Sequence, residues 1–144
     1  MWEPFIFFLL LARLQVLEAE IEELKEKSPE KLYGHPSVRL YSCVIDVMRQ
    51  IIANPADGQY LQGNTLGPTN RDWRRAKAGL PQRYRLFFKF FSDSHSLFFV
   101  WLNDKTTLRK EHAKTDCYAV FRRMLERGEV PSSQEALRGG SEPL

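Results

Sequence analysis

Motifs for metal, nucleotide-cofactor and serine-nucleophile chemistry are all missing from this chain, and each absence excludes something. Of 144 residues only Cys43 and Cys117 are cysteine, both inside predicted helices and without CxxC or Cys/His spacing. That pattern predicts buried free thiols, no disulfide framework and no zinc site, as suits a reducing cytosol. Three histidines are scattered, and neither HExxH nor a close Asp/His cluster accompanies them, so no metal ligands are assigned. No Gly-x-Ser-x-Gly elbow marks a serine hydrolase. The glycines form neither a dinucleotide fingerprint nor a phosphate loop ending in Gly-Lys-Ser/Thr, and no cofactor is expected. The apolar run Phe5–Ala12 is far too short to span a bilayer. It has no positive region before it and passes straight into an amphipathic pattern, which favours a helix over a signal peptide. A cytoplasmic protein with no membrane partner is expected.

What the chain does have is ample core-forming sequence and an uneven distribution of charge. Apolar residues make up 43% and charged residues 27%, as in one folded domain and unlike a disordered chain. The formal net charge of +3 conceals segregation. Residues 1–30 carry seven acids and three bases, whereas residues 71–127 carry fourteen bases and six acids. A basic second half suits a polyanion or an acidic protein as partner; a solvated basic surface is the plainer alternative.

Leu10, Leu14, Leu17, Ile21 and Leu24 recur at helical spacing and predict a helix over 8–27, stopped by Ser28-Pro29. Trp2–Phe7 fits either a short strand or an extended start of that helix. Val38, Tyr41, Ile45, Met48 and Ile52 predict a second helix over 36–53, ended by Asn54-Pro55 and antiparallel to the first. Residues 54–70 read as a loop with room for a short strand near Gln62–Leu66. Trp73–Ala78, Arg83–Phe91 and Leu97–Leu102 read as strands of a meander, turned at Gly79–Gln82 and Ser92–Ser96. Thr115 or Asp116 caps a last helix over 116–127, ended by Gly128 and Pro131; Arg122, Arg123 and Arg127 suit its dipole, which weakens any claim that they bind RNA. The expected architecture is α+β, an N-terminal helix pair packed on an antiparallel β-sheet with a C-terminal helix. Residues 1–131 are expected to form a single domain and 132–144 a flexible tail.

The stretch Asp72–Asp104 joins aromatic and basic residues. From Arg71 to Lys89 there are seven Lys or Arg against one acid, Asp72. Like charges on neighbouring strands repel, so a negative partner is expected. Alternation assigns Tyr84, Leu86, Phe88 and Phe90 to a core face and Arg83, Arg85, Phe87, Lys89 and Phe91 to the other; Trp73, Arg75 and Lys77 likewise share a face. A face bearing Arg75, Lys77, Arg83, Arg85 and Lys89 would bind phosphates and stabilise a phosphorane transition state. RNA can be cleaved by its own 2′-hydroxyl if the protein supplies a proton acceptor, a proton donor and positive charge, and a crowded lysine can be the acceptor. Arg71, Arg74, Arg83, Lys89 and Lys114 are candidate RNA contacts. Phe87 or Phe91 would stack on a splayed base or else pack under a helix. His112, in a polar loop beside basic residues, is a candidate for catalysis; His95 reads as a turn residue.

The blocks Gly63–Gly67, Asp72–Lys77, Arg83–Phe88, Trp101–Asp104, Thr107–Lys110, Lys114–Phe121 and Met124–Gly128 closely resemble, in order, the YhaV family of bacterial toxins of type II toxin–antitoxin systems, within the broader RelE group. The resemblance covers roughly residues 8–137. It implies a compact α+β ribonuclease fold and an endoribonuclease that cleaves mRNA, often on translating ribosomes, and blocks growth. It also implies a PrlF-type antitoxin as partner. The RelE group places catalytic basic residues on a basic-x-basic strand and on a following Tyr-Arg-Leu strand; here these correspond to Arg75-x-Lys77 and Tyr84-Arg85-Leu86. A further arginine and a tyrosine come from the C-terminal part of the group's chains, and Arg109 is the candidate for the arginine. Two departures bear on this. The family's Tyr-Gly after Leu-Arg-Lys is Glu111-His112 here, so that His112 substitutes, or Tyr118 serves, or activity is reduced. The family's His-Pro before the first helix is replaced by Phe7-Phe8, which predicts an imperfect first strand. The expected function is that of a toxin acting as a metal-independent endoribonuclease. The alternative is a non-catalytic nucleic-acid-binding module acting with an antitoxin in transcriptional regulation.

Overall fold

The helical stripes and alternating runs assemble into helical layers on both faces of one sheet. The structure is a computed structural model and describes residues 1–144. Strand β1 (Glu3–Phe7) passes without a loop into α1 (Phe8–Lys27). Helix α2 (Pro36–Ala53) begins on a proline whose fixed φ suits a first turn, and His35 Nδ1 caps it by accepting from the Ser37 N–H at 3.1 Å. Ser37 donates to Glu20 and Tyr41 to Glu18, so α2 runs back antiparallel along α1. Strands β2 (Arg74–Ala76), β3 (Leu86–Phe91) and β4 (Ser96–Leu102) form an antiparallel meander. Helix α3 (Cys117–Glu126), helix α4 (Gln134–Gly139) and strand β5 (Ser141–Pro143) complete the chain. The sheet order is β2-β3-β4-β1-β5, an α+β arrangement. No helix is long and apolar enough to cross a membrane.

Four expectations change. The sheet is mixed rather than antiparallel, because β1 inserts beside β4 in parallel. The first strand is regular, and Phe5, Ile6 and Phe7 are all buried. The Phe8 N–H, an orphan donor at the helix start, is satisfied by the Gly140 carbonyl at 3.0 Å. The tail over 132–144 is not a flexible extension: Leu137 is fully buried, and β5 pairs antiparallel with β1. A Cβ on Gly140 would lie 2.6 Å from the Phe7 ring, so only glycine allows this docking. Finally, no strand forms at Gln62–Leu66. Leu61 alone bridges to Arg74, and the buried Gln62 side chain bonds the Asn70 carbonyl and the Leu66 N–H, organising a loop.

The sheet is buried on both faces. On one, Leu86, Phe88, Leu97 and Phe99 meet Leu10, Leu14, Val44 and Ile51 of the helix pair. On the other, Phe87, Phe98 and Val100 meet Trp73, Phe121 and Leu137. Each such fully buried side chain contributes roughly 1.5–3 kcal/mol by leaving water. A register shift at Phe87/Phe88 leaves Val100 of β4 as an extra residue, so Val100 and Trp101 both meet the second core before Leu102 returns to the first.

Candidate active site

The second core ends at the β2–β3 end of the sheet, and the polar cluster begins there. Alternation along β2 sends Ala76 to the helix-pair core and Arg75 to the opposite face. Arg85 lies one residue before β3. Arg83, with φ of 72°, turns the chain so that its carbonyl accepts from Asn103 Nδ2 at 3.0 Å and from the Arg109 N–H at 2.9 Å. Fully buried Asn103 also donates to the Thr107 carbonyl at 2.9 Å and accepts from the Arg85 N–H at 2.7 Å. One amide thereby ties the 103–114 loop to the start of β3. Left-handed backbone costs a non-glycine residue about 1–2 kcal/mol, and these bonds hold Arg83 in it.

Asp116 caps α3 and anchors the other end of the loop. Its Oδ2 accepts from the Tyr118 N–H at 3.1 Å, and its Oδ1 from the Lys110 N–H at 2.7 Å and Arg109 Nη1 at 2.9 Å. The Arg109 guanidinium lies 5.0 Å above the Tyr118 ring. Its pKa is raised, first by the Asp116 hydrogen bond. Around the Tyr118 hydroxyl the remaining parts converge: Arg75 Nε donates to it at 2.8 Å and Arg85 Nε at 3.3 Å. The far sides of these guanidiniums are held by the carbonyls of Gln59 and Tyr84, both at 2.9 Å. Of these three cations only Arg109 is paired with a carboxylate, the buried Asp116, and the excess positive charge matches a phosphate. Burial, with Asp116 beside it, pushes the Cys117 thiol up to about 12, which leaves it a packing residue.

The structure brings together Arg75, Arg85 and Arg109. Lys77 is exposed just beyond β2, on the Arg75 side by alternation, and His112 is exposed on the loop with φ of 67°. Arg71, Arg83 and Lys114 are exposed. Three candidate RNA contacts fall elsewhere. Phe87 is fully buried and stacked 4.4 Å from Phe121, so it cannot receive a base. Lys89 is 6% exposed, paired with Asp72 at 2.9 Å and bonded to the Ser132 carbonyl at 2.8 Å, because the second core covers the face it was assigned to. Arg74 lies on the opposite face, its guanidinium 5.4 Å from the Phe90 ring centroid. Sequence reasoning named Tyr118 only as an alternative to His112, and missed the anchoring by Asn103 and Asp116 and the cleft beside them. That cleft, of about 660 Å³, is lined by Arg109, His112, Lys114, Tyr118, Arg122 and Arg123 among others. The capping signal at Asp116 was legible; that the same carboxylate holds Arg109 depends on the loop's path.

Comparison with known proteins gives a consistent result. A family model described as a toxin with endonuclease activity, of toxin–antitoxin system, Toxin_YhaV, matches residues 5–141. The chain is 40% identical over 123 residues to "Ribonuclease toxin YhaV" of Escherichia coli K12, covering 84% of this chain and 79% of that one. It is similar to the same extent to "Toxin YhaV" of Escherichia coli O157:H7. No solved structure matches it.

Proposed function

The chain belongs to the YhaV family of toxins with endonuclease activity, and from that premise we propose that it cuts RNA through the RNA's own 2′-hydroxyl, without a metal ion, at the cluster around Tyr118. The observation that carries this reading is the double donation of Arg75 and Arg85 into the Tyr118 hydroxyl. In the reaction the 2′-oxygen loses its proton and attacks the neighbouring phosphorus. The bond from phosphorus to the 5′-oxygen breaks, and that oxygen takes up a proton. The products are a 2′,3′-cyclic phosphate and a 5′-hydroxyl. Arg75, Arg85 and Arg109 stabilise the negative charge that grows on the phosphorane oxygens. With two guanidinium N–H groups occupying the acceptor side of its oxygen, the Tyr118 O–H is left to donate, and it is the group assigned to protonate the leaving 5′-oxygen. Lys77, on the Arg75 side of β2, and His112, on the lining of the adjoining cleft, are the two candidate proton acceptors.

Membership in a toxin–antitoxin family brings an antitoxin partner and an RNA substrate. We take the antitoxin to be of the PrlF type and the substrate to be mRNA on the ribosome, in the cytoplasm. Purified protein mixed with mRNA and ribosomes in EDTA should give site-specific cuts. Arg85→Ala should lower kcat/KM by about 10²–10³ with an unchanged circular dichroism spectrum, the usual size for removing one preorganised donor. Intact mRNA with the wild-type protein, or salt-sensitive binding without cleavage, would sink the catalytic reading in favour of a binding module.

A further inference from the structure

The cleft beside the Tyr118 cluster has a composition of its own. It lies between the 109–114 loop and one stripe of α3, Ala119, Arg122, Arg123 and Glu126, spaced as neighbours on a helix face. Its volume of about 660 Å³ falls within the range of about 300–1,000 Å³ of small-ligand sites. Tyr118 and Arg109 belong to its lining, so a strand of RNA with its reacting phosphate at the cluster runs into it. The cations there differ in how they are compensated. Arg109 is paired with Asp116, and Arg122 with Glu126 at 3.0 Å. Lys114 and Arg123 have no carboxylate partner; Arg123 donates to the Lys114 carbonyl at 2.8 Å, which ties its guanidinium to the loop that carries Lys114. Glu111, largely exposed, also lines the cleft, with His112 Nε2 3.7 Å from its carboxylate.

We propose that this cleft is a subsite for a nucleotide adjacent to the cut, with Lys114 and Arg123 on its phosphate and the Glu111 carboxylate on its base, and that guanine is the preferred base. The proposal rests on the endoribonuclease reading above. A carboxylate repels the RNA backbone, so it suits this rim only against hydrogen-bond donors. Ionised Glu111 is acceptor-only, with two oxygens side by side. Guanine alone offers two adjacent donors, N1–H and the N2 amino group, on its Watson–Crick edge. Adenine and cytosine offer one amino group beside an acceptor nitrogen, and uracil one N–H between two carbonyls. In single-stranded RNA that edge is open to such readout.

The test uses short RNAs that differ only at the nucleotides flanking the cut. Wild-type protein should favour guanine at one flanking position by about tenfold, the discrimination expected of a good bidentate base contact. Glu111→Gln should lose that preference while still cutting. Lys114→Ala with Arg123→Ala should raise KM by about tenfold, the loss falling on KM rather than kcat, and should flatten the log–log salt dependence by about 0.7 for the one phosphate lost. Lys114→Ala alone, at an exposed side chain, gives the same direction if the double variant proves unstable. Unchanged KM and salt slope overturn the subsite, and an unchanged base profile in Glu111→Gln overturns the guanine assignment. Failure of the wild type to cut any RNA counts against the endoribonuclease reading instead. In that case a 2′-O-methyl RNA, which cannot react, reads the subsite by binding alone, and equal affinity for wild type and the double variant overturns it.

Discussion

Tyr118 packs its ring edge against Phe87 at 5.6 Å while its hydroxyl receives two guanidiniums, so its apolar and polar ends do separate work. Tyr118→Phe keeps the packing and removes the hydroxyl. Under the proposed mechanism kcat should fall by about 10²–10⁴, the size of a lost general acid, with thermal stability little changed; a variant of normal kcat would remove Tyr118 from the reaction. Cys117, one residue earlier, makes a different prediction. Its thiol ionises near 12 in the folded protein against an ordinary value of 9.0. Below pH 9 both folded and unfolded chains hold the proton and nothing changes. Between pH 9 and about 12 the unfolded thiol ionises first, so stability should decline as pH rises. Tyr41 and Tyr60, whose phenols are raised first by burial, act in the same direction. Melting temperatures at pH 8 and pH 10.5 should show the loss, and Cys117→Ala should reduce it. Slow alkylation of Cys117 by iodoacetamide in the native protein at neutral pH, with the half-buried Cys43 labelled first, would accompany it.

Among the elements, the C-terminal segment departs most from its reading in sequence. Ser132–Leu144 has few apolar residues, yet α4 sets Leu137 into the second core and β5 covers the outer edge of β1. Lys89 reaches from β3 to the Ser132 carbonyl, and the Leu144 N–H donates to the Pro4 carbonyl at 3.0 Å, so the segment is clamped at both ends. Leu137→Ala should cost about 2–5 kcal/mol, as for other fully buried leucines, measured by urea denaturation. A loss under about 0.5 kcal/mol, typical of surface positions, would mean that the segment does not dock in solution. The 103–114 loop, by contrast, has little regular structure and is held by Asn103 and Asp116. Both are polar residues inside a core, where an unpaired group is costly and a fully satisfied one fixes geometry.

For the molecule as a whole, charge and layering divide the work. The acidic outer face of α1 and the basic cluster belong to opposite faces of the sheet, so the cluster is separated from the α1 carboxylates by the sheet and the helix-pair core. Sequence by itself determined the helix pair over 8–27 and 36–53, the meander, a cap at Thr115 or Asp116 and the α+β class. These follow from periodicity, proline and local hydrogen bonding, which act within a few residues. It also put Arg75 and Arg85 on the face opposite Tyr84, Leu86 and Phe88, because a strand's alternation is local. Only the tertiary structure decided that this opposite face is itself a core, which took Phe87 and Lys89 out of the site. The sequence of a strand does not state what covers each side. Nor could local patterns place β1 parallel to β4, dock the tail beside it, or carry Arg109 and Tyr118 to the two arginines. Those placements depend on contacts between residues far apart in the chain, and the residues that make them, Asn103, Asp116 and Gly140, look ordinary until their partners are known.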